Sequence, residues 1–388
     1  MPNKEMLLIP GPTPVADEIY DALASETWAH TDPRFGAIFK NSLELTKSMF
    51  HTDGEVYVFA GSGTLAMEMA IVNLIAPGEK LLVLSHGYFG DRFINLSRAY
   101  GIEVETIQAP WGQQVDPDLV RQTLANGGFK AVTVTHVDTS TGVMADLDVL
   151  VPLVKQSGAL FILDGVCASA ALEEDMSKSY SKPEYTIDVV LTASQKAIGV
   201  PPGLGIVAFS QRALEVRQSR DKVPAYFLDI QNWKPIMDDP GKYFATPPVN
   251  MIYAFNQGMQ MVTKEGFPAR YRRHAALGKA VRSALAVYGM KPLAVDQAAA
   301  PTLSCILYPE GVDDASFRKS LAAKGIIVSG ALAHLAGKAF RIGHMGNVTE
   351  DMFAKAIGLI GETLRELGHK ADSDAAVQAF RDVYTTNL

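Results

Sequence analysis

The chain has 388 residues, 48% apolar and 20% charged, and a formal net charge of −7. That length exceeds one compact core and implies two domains, in an ordinary globular composition. The acidic balance, without a basic run, excludes a nucleic-acid partner. Two cysteines, Cys167 and Cys305, exclude a disulfide framework, and no CxxC or His/Cys cluster offers a metal site. No uncharged run approaches the roughly 20 residues that span a bilayer. The opening Met1-Pro2-Asn3-Lys4-Glu5, with prolines at 10, 12 and 14, reads as neither signal peptide nor anchor, so a cytoplasmic location is expected.

In chain order, residues 56–60 form a short strand, and residues 64–75 carry apolar positions at helical spacing, ended by Pro77-Gly78. A buried strand at 81–85 leads into a helix from about 90 to 100. A strand at 104–107 is followed by a helix opening at Asp116-Pro117. The alternation continues with a strand at 131–135, a helix at 147–157 and a strand at 160–163. Strands at 187–191 and 205–209 complete seven. Continuous apolar strands with crossover helices predict a mostly parallel sheet buried on both faces, an α/β fold. From about Val249 a long helical stretch begins. A smaller α/β unit follows, with strands at 303–307 and 340–342 and a helically spaced tail over 371–388. Residues 173–185 read as an inserted loop. The expected division is an N-terminal arm 1–20, a large domain 21–260 and a small domain 261–388.

Several motifs fall where these strands end, the edge at which open α/β sheets bind ligands. Ala60-Gly61-Ser62-Gly63-Thr64 joins strand to helix and is either a plain turn or an anion cradle of free N–H groups and helix dipole. Asp164 ends a strand, either as a turn or cap residue or as a carboxylate facing a protonated ring nitrogen. Thr135-His136-Val137-Asp138-Thr139-Ser140-Thr141-Gly142-Val143 offers hydroxyls that cap turns or meet a ligand. In His86-Gly87-Tyr88-Phe89-Gly90-Asp91-Arg92 an aromatic is either core or a stacking platform. The most informative stretch is Ser194-Gln195-Lys196, between an apolar strand and the stiff Pro201-Pro202-Gly203-Leu204-Gly205 turn. A surface lysine needs no such frame, whereas a lysine that forms a Schiff base must hold its amine at a fixed, partly desolvated point.

Taken together the chain resembles the class V aminotransferases of the fold type I pyridoxal-phosphate enzymes, in particular the alanine–glyoxylate and serine–glyoxylate or serine–pyruvate group. The resemblance runs from Leu8-Ile9-Pro10-Gly11-Pro12-Thr13-Pro14 to about Gly368. It is carried by Gly61-Ser62-Gly63-Thr64, Thr139-Ser140-Thr141-Gly142-Val143, Ser194-Gln195-Lys196 with its Pro-Pro-Gly turn, Thr246-Pro247-Pro248-Val249-Asn250, and Arg341-Ile342-Gly343-His344-Met345-Gly346. It implies pyridoxal 5′-phosphate as cofactor and Lys196 as the catalytic residue that binds it covalently. Asp164 would then pair with the pyridine nitrogen, Phe89 would stack on the ring, and Thr139 would approach the phenolic oxygen. Ser62, Gly63, Thr64 and Gln195 would hold the phosphate. Tyr243 and Thr246 would reach the phosphate of a neighbouring subunit, in a homodimer with active sites at the interface. Arg341 would grip the substrate α-carboxylate, with Gly11 and Thr139 also at the substrate. The implied reaction is ping-pong transfer of an amino group from a small amino acid such as alanine or serine to glyoxylate or pyruvate.

Two departures stand out, of which the second, near the substrate mouth, bears on the substrate. Gly165-Val166-Cys167-Ala168-Ser169 stands where relatives carry small residues such as Val-Ser-Ser. His30-Thr31-Asp32-Pro33-Arg34-Phe35 stands where they carry His-Arg-Ser. Aspartate, ureidoglycine or pyridoxamine remain alternative donors, since relatives using each share this scaffold, with Arg34 a candidate second carboxylate contact or a solvated arginine. A desulfurase-like lyase would need a loop cysteine near Val328-Ser329-Gly330-Ala331, where there is none. A non-enzymatic relative would have lost Lys196, Asp164 or Arg341. His30, His86, His136 and His344 read as structural.

Overall fold

The computed structural model describes residues 5–388. Seven strands build the main sheet: β1 Glu55–Ala60, β2 Lys80–Ser85, β3 Glu103–Gln108, β4 Phe129–Thr135, β5 Leu160–Asp164, β6 Val189–Ala193 and β7 Leu204–Phe209. Their order is β1-β7-β6-β5-β4-β2-β3. β7 runs antiparallel to both β1 and β6, and the other neighbours are parallel. This is the mostly parallel seven-stranded α/β architecture expected. Every residue of β5, β6 and β7 is buried, which is why these strands read as unbroken apolar runs.

Among the described residues nine helices accompany this sheet: α1 Asp17–Leu23, α2 Pro33–Phe50, α3 Gly63–Leu74, α4 Tyr88–Ala99, α5 Pro117–Ala125, α6 Leu147–Gln156, α7 Gln211–Gln218, α8 Ile230–Asp238 and α9 Val249–Glu265. Four begin on an aspartate whose side chain accepts a backbone N–H: Asp32, Asp116, Asp146 and Asp229. The second unit comprises α10 Phe267–Val287, β8 Lys291–Pro292, β9 Leu303–Leu307, α11 Asp314–Ala323, β10 Ser329–Gly330, β11 Ala339–Gly343, α12 Glu350–Glu366 and α13 Ser373–Asn387. Its strands form an antiparallel sheet in the order β8-β9-β11-β10.

Two apolar cores underlie these units. One runs from Ile19 to Val262 and takes in Ala300, Leu303 and Met345. The other is built from α10 to α13 and the small sheet, with Leu8 inserted from the N-terminal segment. We propose the junction of large and small domains at Gly266, whose φ of 83° turns α9 into α10 between the two cores. The tail helix α13 buries Ala376, Phe380 and Tyr384 in the second core. Residues 173–185 form neither helix nor strand, yet Glu174, Met176, Tyr180 and Tyr185 are buried, so the insertion is anchored. The strand expected at 187–191 lies two residues later. Asp188, just before β6, donates from its backbone to Phe161 O at 3.1 Å and accepts there from Ser210 N at 2.8 Å, while its side chain accepts from Phe161 N at 2.7 Å and from Lys155 Nζ at 2.6 Å.

Candidate active site

Register places the motifs on one edge of the large sheet. Leu204 pairs with Ala60, Gly205 with Ala193, Leu191 with Asp164 and Asp164 with Thr135. A cavity of ≈ 130 Å³ opens there, walled by Ser62, Gly63, Thr64, Phe89, Thr139, Asp164, Gln195 and Lys196. Residues that sequence reasoning gave no role complete it: Met67, Arg92, Thr135, Val137, Val166 and Cys167.

Lys196 sits just past β6 in a turn fixed through its backbone. Thr13 N donates to Gln195 O at 3.1 Å, Thr13 Oγ1 to Lys196 O at 2.8 Å, and Gly199 N to Lys196 O at 2.9 Å. Arg270, 2% exposed, donates from Nη2 to Ala197 O at 2.5 Å and from Nε to Ala170 O at 2.8 Å. The amine itself donates to Pro10 O at 2.5 Å. The N-terminal segment reaches this point from the small domain, where Leu8 N donates to Ile327 O and Leu8 O accepts from Gly343 N. Gly11 lies against the lysine with φ 115°, and a Cβ there would come within 2.6 Å of Nζ. Gly11→Ala is therefore expected to displace the amine and lower kcat by about 10²-fold, the effect of a misplacement near 1 Å. A variant with wild-type kcat would show that the close approach is unimportant.

Asp164 is buried at the end of β5. It accepts from Val166 N at 3.0 Å and from Thr135 Oγ1 at 3.4 Å. Burial, seconded by the nearby Asp138 and Glu174 carboxylates, pushes its carboxyl up to about 7 against the Val166 hydrogen bond. Asp138 fixes Phe89 by capping α4: it accepts from Phe89 N at 2.9 Å and Gly90 N at 3.1 Å, while Ser140 Oγ accepts from Tyr88 N at 3.0 Å. At α3 the Ser62 hydroxyl accepts from Leu65 N, leaving the first N–H groups, at Gly63 and Thr64, without an intrahelical acceptor. Gln195 Oε1 is buried without a hydrogen-bond partner. Beyond Thr139 stands Arg341 of β11, which donates from Nε to Gly330 O at 2.9 Å and from Nη1 to Thr139 Oγ1 at 3.5 Å.

The class-V aminotransferase family model matches residues 17–341. The chain belongs to that family. An uncharacterized aminotransferase of Methanocaldococcus jannaschii is 35% identical over 98% of this chain and 97% of its own. The serine–glyoxylate aminotransferase of Methylorubrum extorquens is 31% identical, over 97% of this chain and 95% of its own. Among solved structures, an alanine–glyoxylate aminotransferase from Nostoc superposes with a TM-score of 0.88 at 28% identity, covering 94% of this chain and 96% of its own.

Membership implies pyridoxal phosphate as the cofactor of this aminotransferase, and the cavity's residues fit that group. The free N–H groups of α3 suit a phosphate. Gln195, turned about its amide, presents a donor beside them. Asp164 is a buried carboxyl short of positive charge, which a protonated ring nitrogen supplies.

Other residues of this aminotransferase lie elsewhere. Tyr243 is 68% exposed and Thr246 is exposed, and neither walls the cavity. Arg34 forks onto Asp32 and stacks 4.1 Å over Trp28, outside the cavity. His136 pairs with Glu174 at 2.7 Å, and His344 with Pro301 O and Ser304. Burial holds His344 down to about 3 and His86 to about 4. Cys305 is buried in β9, its thiol pushed up to about 12 by burial. Cys167 walls the cavity but is also buried, and burial pushes its thiol up, so neither sulfur is set up as a nucleophile. Among the described residues no helix is long and apolar enough to cross a membrane.

Proposed function

We propose that this aminotransferase moves an amino group from a small amino acid, alanine or serine, to glyoxylate or pyruvate by a ping-pong sequence. What carries this reading is Arg341, which reaches the cavity wall through its hydrogen bond to Thr139. Nη2 of Arg341 has no hydrogen-bond partner among the described residues. One planar fork suits one α-carboxylate. Arg34, the candidate second carboxylate contact, is committed to Asp32 and Trp28, which disfavours a dicarboxylate donor. The relatives named for serine–glyoxylate and alanine–glyoxylate transfer support the same substrate class.

In this reading Ser62, Gly63, Thr64 and Gln195 hold the cofactor's phosphate, Phe89 faces its ring, Asp164 its ring nitrogen and Thr139 its phenolic oxygen. Pyridoxal phosphate, when bound, supplies the electron sink that acidifies the donor Cα. Lys196 Nζ takes the proton from the donor Cα and returns one to the acceptor Cα in the second half-reaction. The Asp164 carboxylate holds a proton on the ring nitrogen throughout. Arg341 Nη2, Thr139 and the Gly11 segment orient the substrate so that Cα–H faces Nζ. Exposed Tyr243 and Thr246 complete the phosphate site of a second copy, so the working unit is a homodimer.

The test is a single-turnover screen of amino donors, each followed by glyoxylate or pyruvate, read by the visible absorbance of the bound cofactor. Alanine or serine should react fastest. Conversion by aspartate, ureidoglycine or pyridoxamine alone would overturn the substrate assignment. Arg341→Ala is expected to raise KM for amino and keto acids together by on the order of 10²-fold, the worth of a charge-assisted fork. Cofactor affinity should be unchanged, and an unaltered KM would remove Arg341 from this role.

A further inference from the structure

Arg92 lies one turn into α4, three residues after Phe89, on the cavity wall. Its Nη1 donates to Thr64 Oγ1 at 2.9 Å. Its guanidinium carbon lies 4.5 Å over the centre of the Phe89 ring and 5.6 Å from that of Tyr88. No carboxylate among the described residues pairs with it; its neighbour Asp91 is taken by Ser85 and Gln108.

We propose that Arg92 is a positioning residue for the cofactor, joining the phosphate turn on α3 to the aromatic platform on α4 and giving Thr64 its donor role. The inference rests on the pyridoxal-phosphate reading above. A hydroxyl has one proton and two lone pairs. With one lone pair of Thr64 taken by Arg92 Nη1–H, the Thr64 proton is free to turn to an anion in the cavity. The donor is itself charged, which strengthens the Thr64 O–H as a donor in turn. At its other end the guanidinium is held over Phe89 by a cation–π contact, so the plane of the ring and the position of Thr64 are set by one rigid group. An arginine without a carboxylate partner also leaves net positive charge at the cavity wall, where a phosphate dianion would balance it. Lysine could supply the charge but not the planar bridge.

The experiment titrates cofactor-free wild-type, Arg92→Leu and Arg92→Lys protein with pyridoxal phosphate and, separately, with pyridoxal, which lacks the phosphate. Fluorescence quenching gives Kd, and visible circular dichroism reports how the bound ring is held. Thermal midpoints of the cofactor-free proteins report folding. Arg92→Leu is expected to weaken pyridoxal phosphate by about 10- to 100-fold, pyridoxal by less, and to reduce the dichroism while the cofactor-free midpoint stays near wild type. Arg92→Lys should recover part of the phosphate-dependent affinity without restoring the dichroism. Wild-type affinity in Arg92→Leu overturns the proposal, as does an equal loss for both ligands accompanied by a matching fall in midpoint. Failure of the wild-type protein itself to bind pyridoxal phosphate would instead reject the cofactor reading.

Discussion

Replacing Lys196 with alanine is expected to lower kcat by about 10⁴-fold, the upper range for a positioned acid–base group, while leaving the fold intact. Among the described residues the side chain contributes a single hydrogen bond, from Nζ to Pro10 O. The turn that carries it is held through main-chain atoms by Thr13, Gly199 and Arg270. Truncation therefore removes chemistry and little packing, and the thermal midpoint should stay close to wild type. Two further measurements separate the lysine's roles. Borohydride reduction followed by peptide mapping should place the cofactor on Lys196 in the wild-type protein and nowhere in the variant. A small primary amine added to Lys196→Ala should recover part of the lost rate, because the missing group is an amine at one point of a preserved cavity. An active variant, or a reducible linkage that survives the substitution, would reject Lys196 as both anchor and base.

The parts of this molecule that were legible in its sequence are those written in short-range patterns. The apolar runs of β5, β6 and β7 are continuous because both faces of the sheet are covered. The polar residues that interrupt the pattern at strand ends, Asp164 and Thr135 among them, mark the binding edge. Helix α2 lies outside the expected elements although Asp32 and Pro33 are a cap followed by a proline at the first helical position. The displacement of β6 has a different cause: Ile187 is as apolar as a strand residue, but regular pairing with β5 begins only at Val189, after the Asp188 carboxylate has taken Phe161 N–H. What could not be read at all are the long-range meetings. Gly11 against Lys196, Arg270 against Ala197 and Arg92 against Thr64 depend on how loops from separate elements converge. Periodicity carries no information about such approaches. The capping of α4 by Asp138 lies between these extremes, since an Asp-x-Ser turn is visible in the sequence and its distant partner, the N–H groups of Phe89 and Gly90, is not.

Asp164→Asn is expected to move two measurements in opposite directions. In the cofactor-free protein the Asp164 carboxyl is pushed up from 3.8 to about 7, chiefly by burial. Between these values the folded state holds a proton that the unfolded chain has released. Stability therefore falls as pH rises through the window of about 4 to 7, and the loss is complete above it. For a shift of about three units the cost is on the order of 4 kcal/mol. Asparagine is nearly the same size, keeps an oxygen for Val166 N–H, and is neutral at every pH. Cofactor-free Asp164→Asn should consequently melt above wild type at pH 8, by a margin that shrinks toward zero as pH falls to about 4. Activity should go the other way, with kcat/KM reduced by about 10³-fold, the scale for losing one preorganised electrostatic partner. A neutral amide cannot hold a proton on the ring nitrogen, and without that charge the donor Cα is not acidified. Adding pyridoxal phosphate should also stabilise wild type more than the variant, since only the carboxylate gains a cationic neighbour. A variant as active as wild type would remove Asp164 from the ring nitrogen. A melting difference that does not change with pH would mean that burial is not what holds this carboxyl protonated.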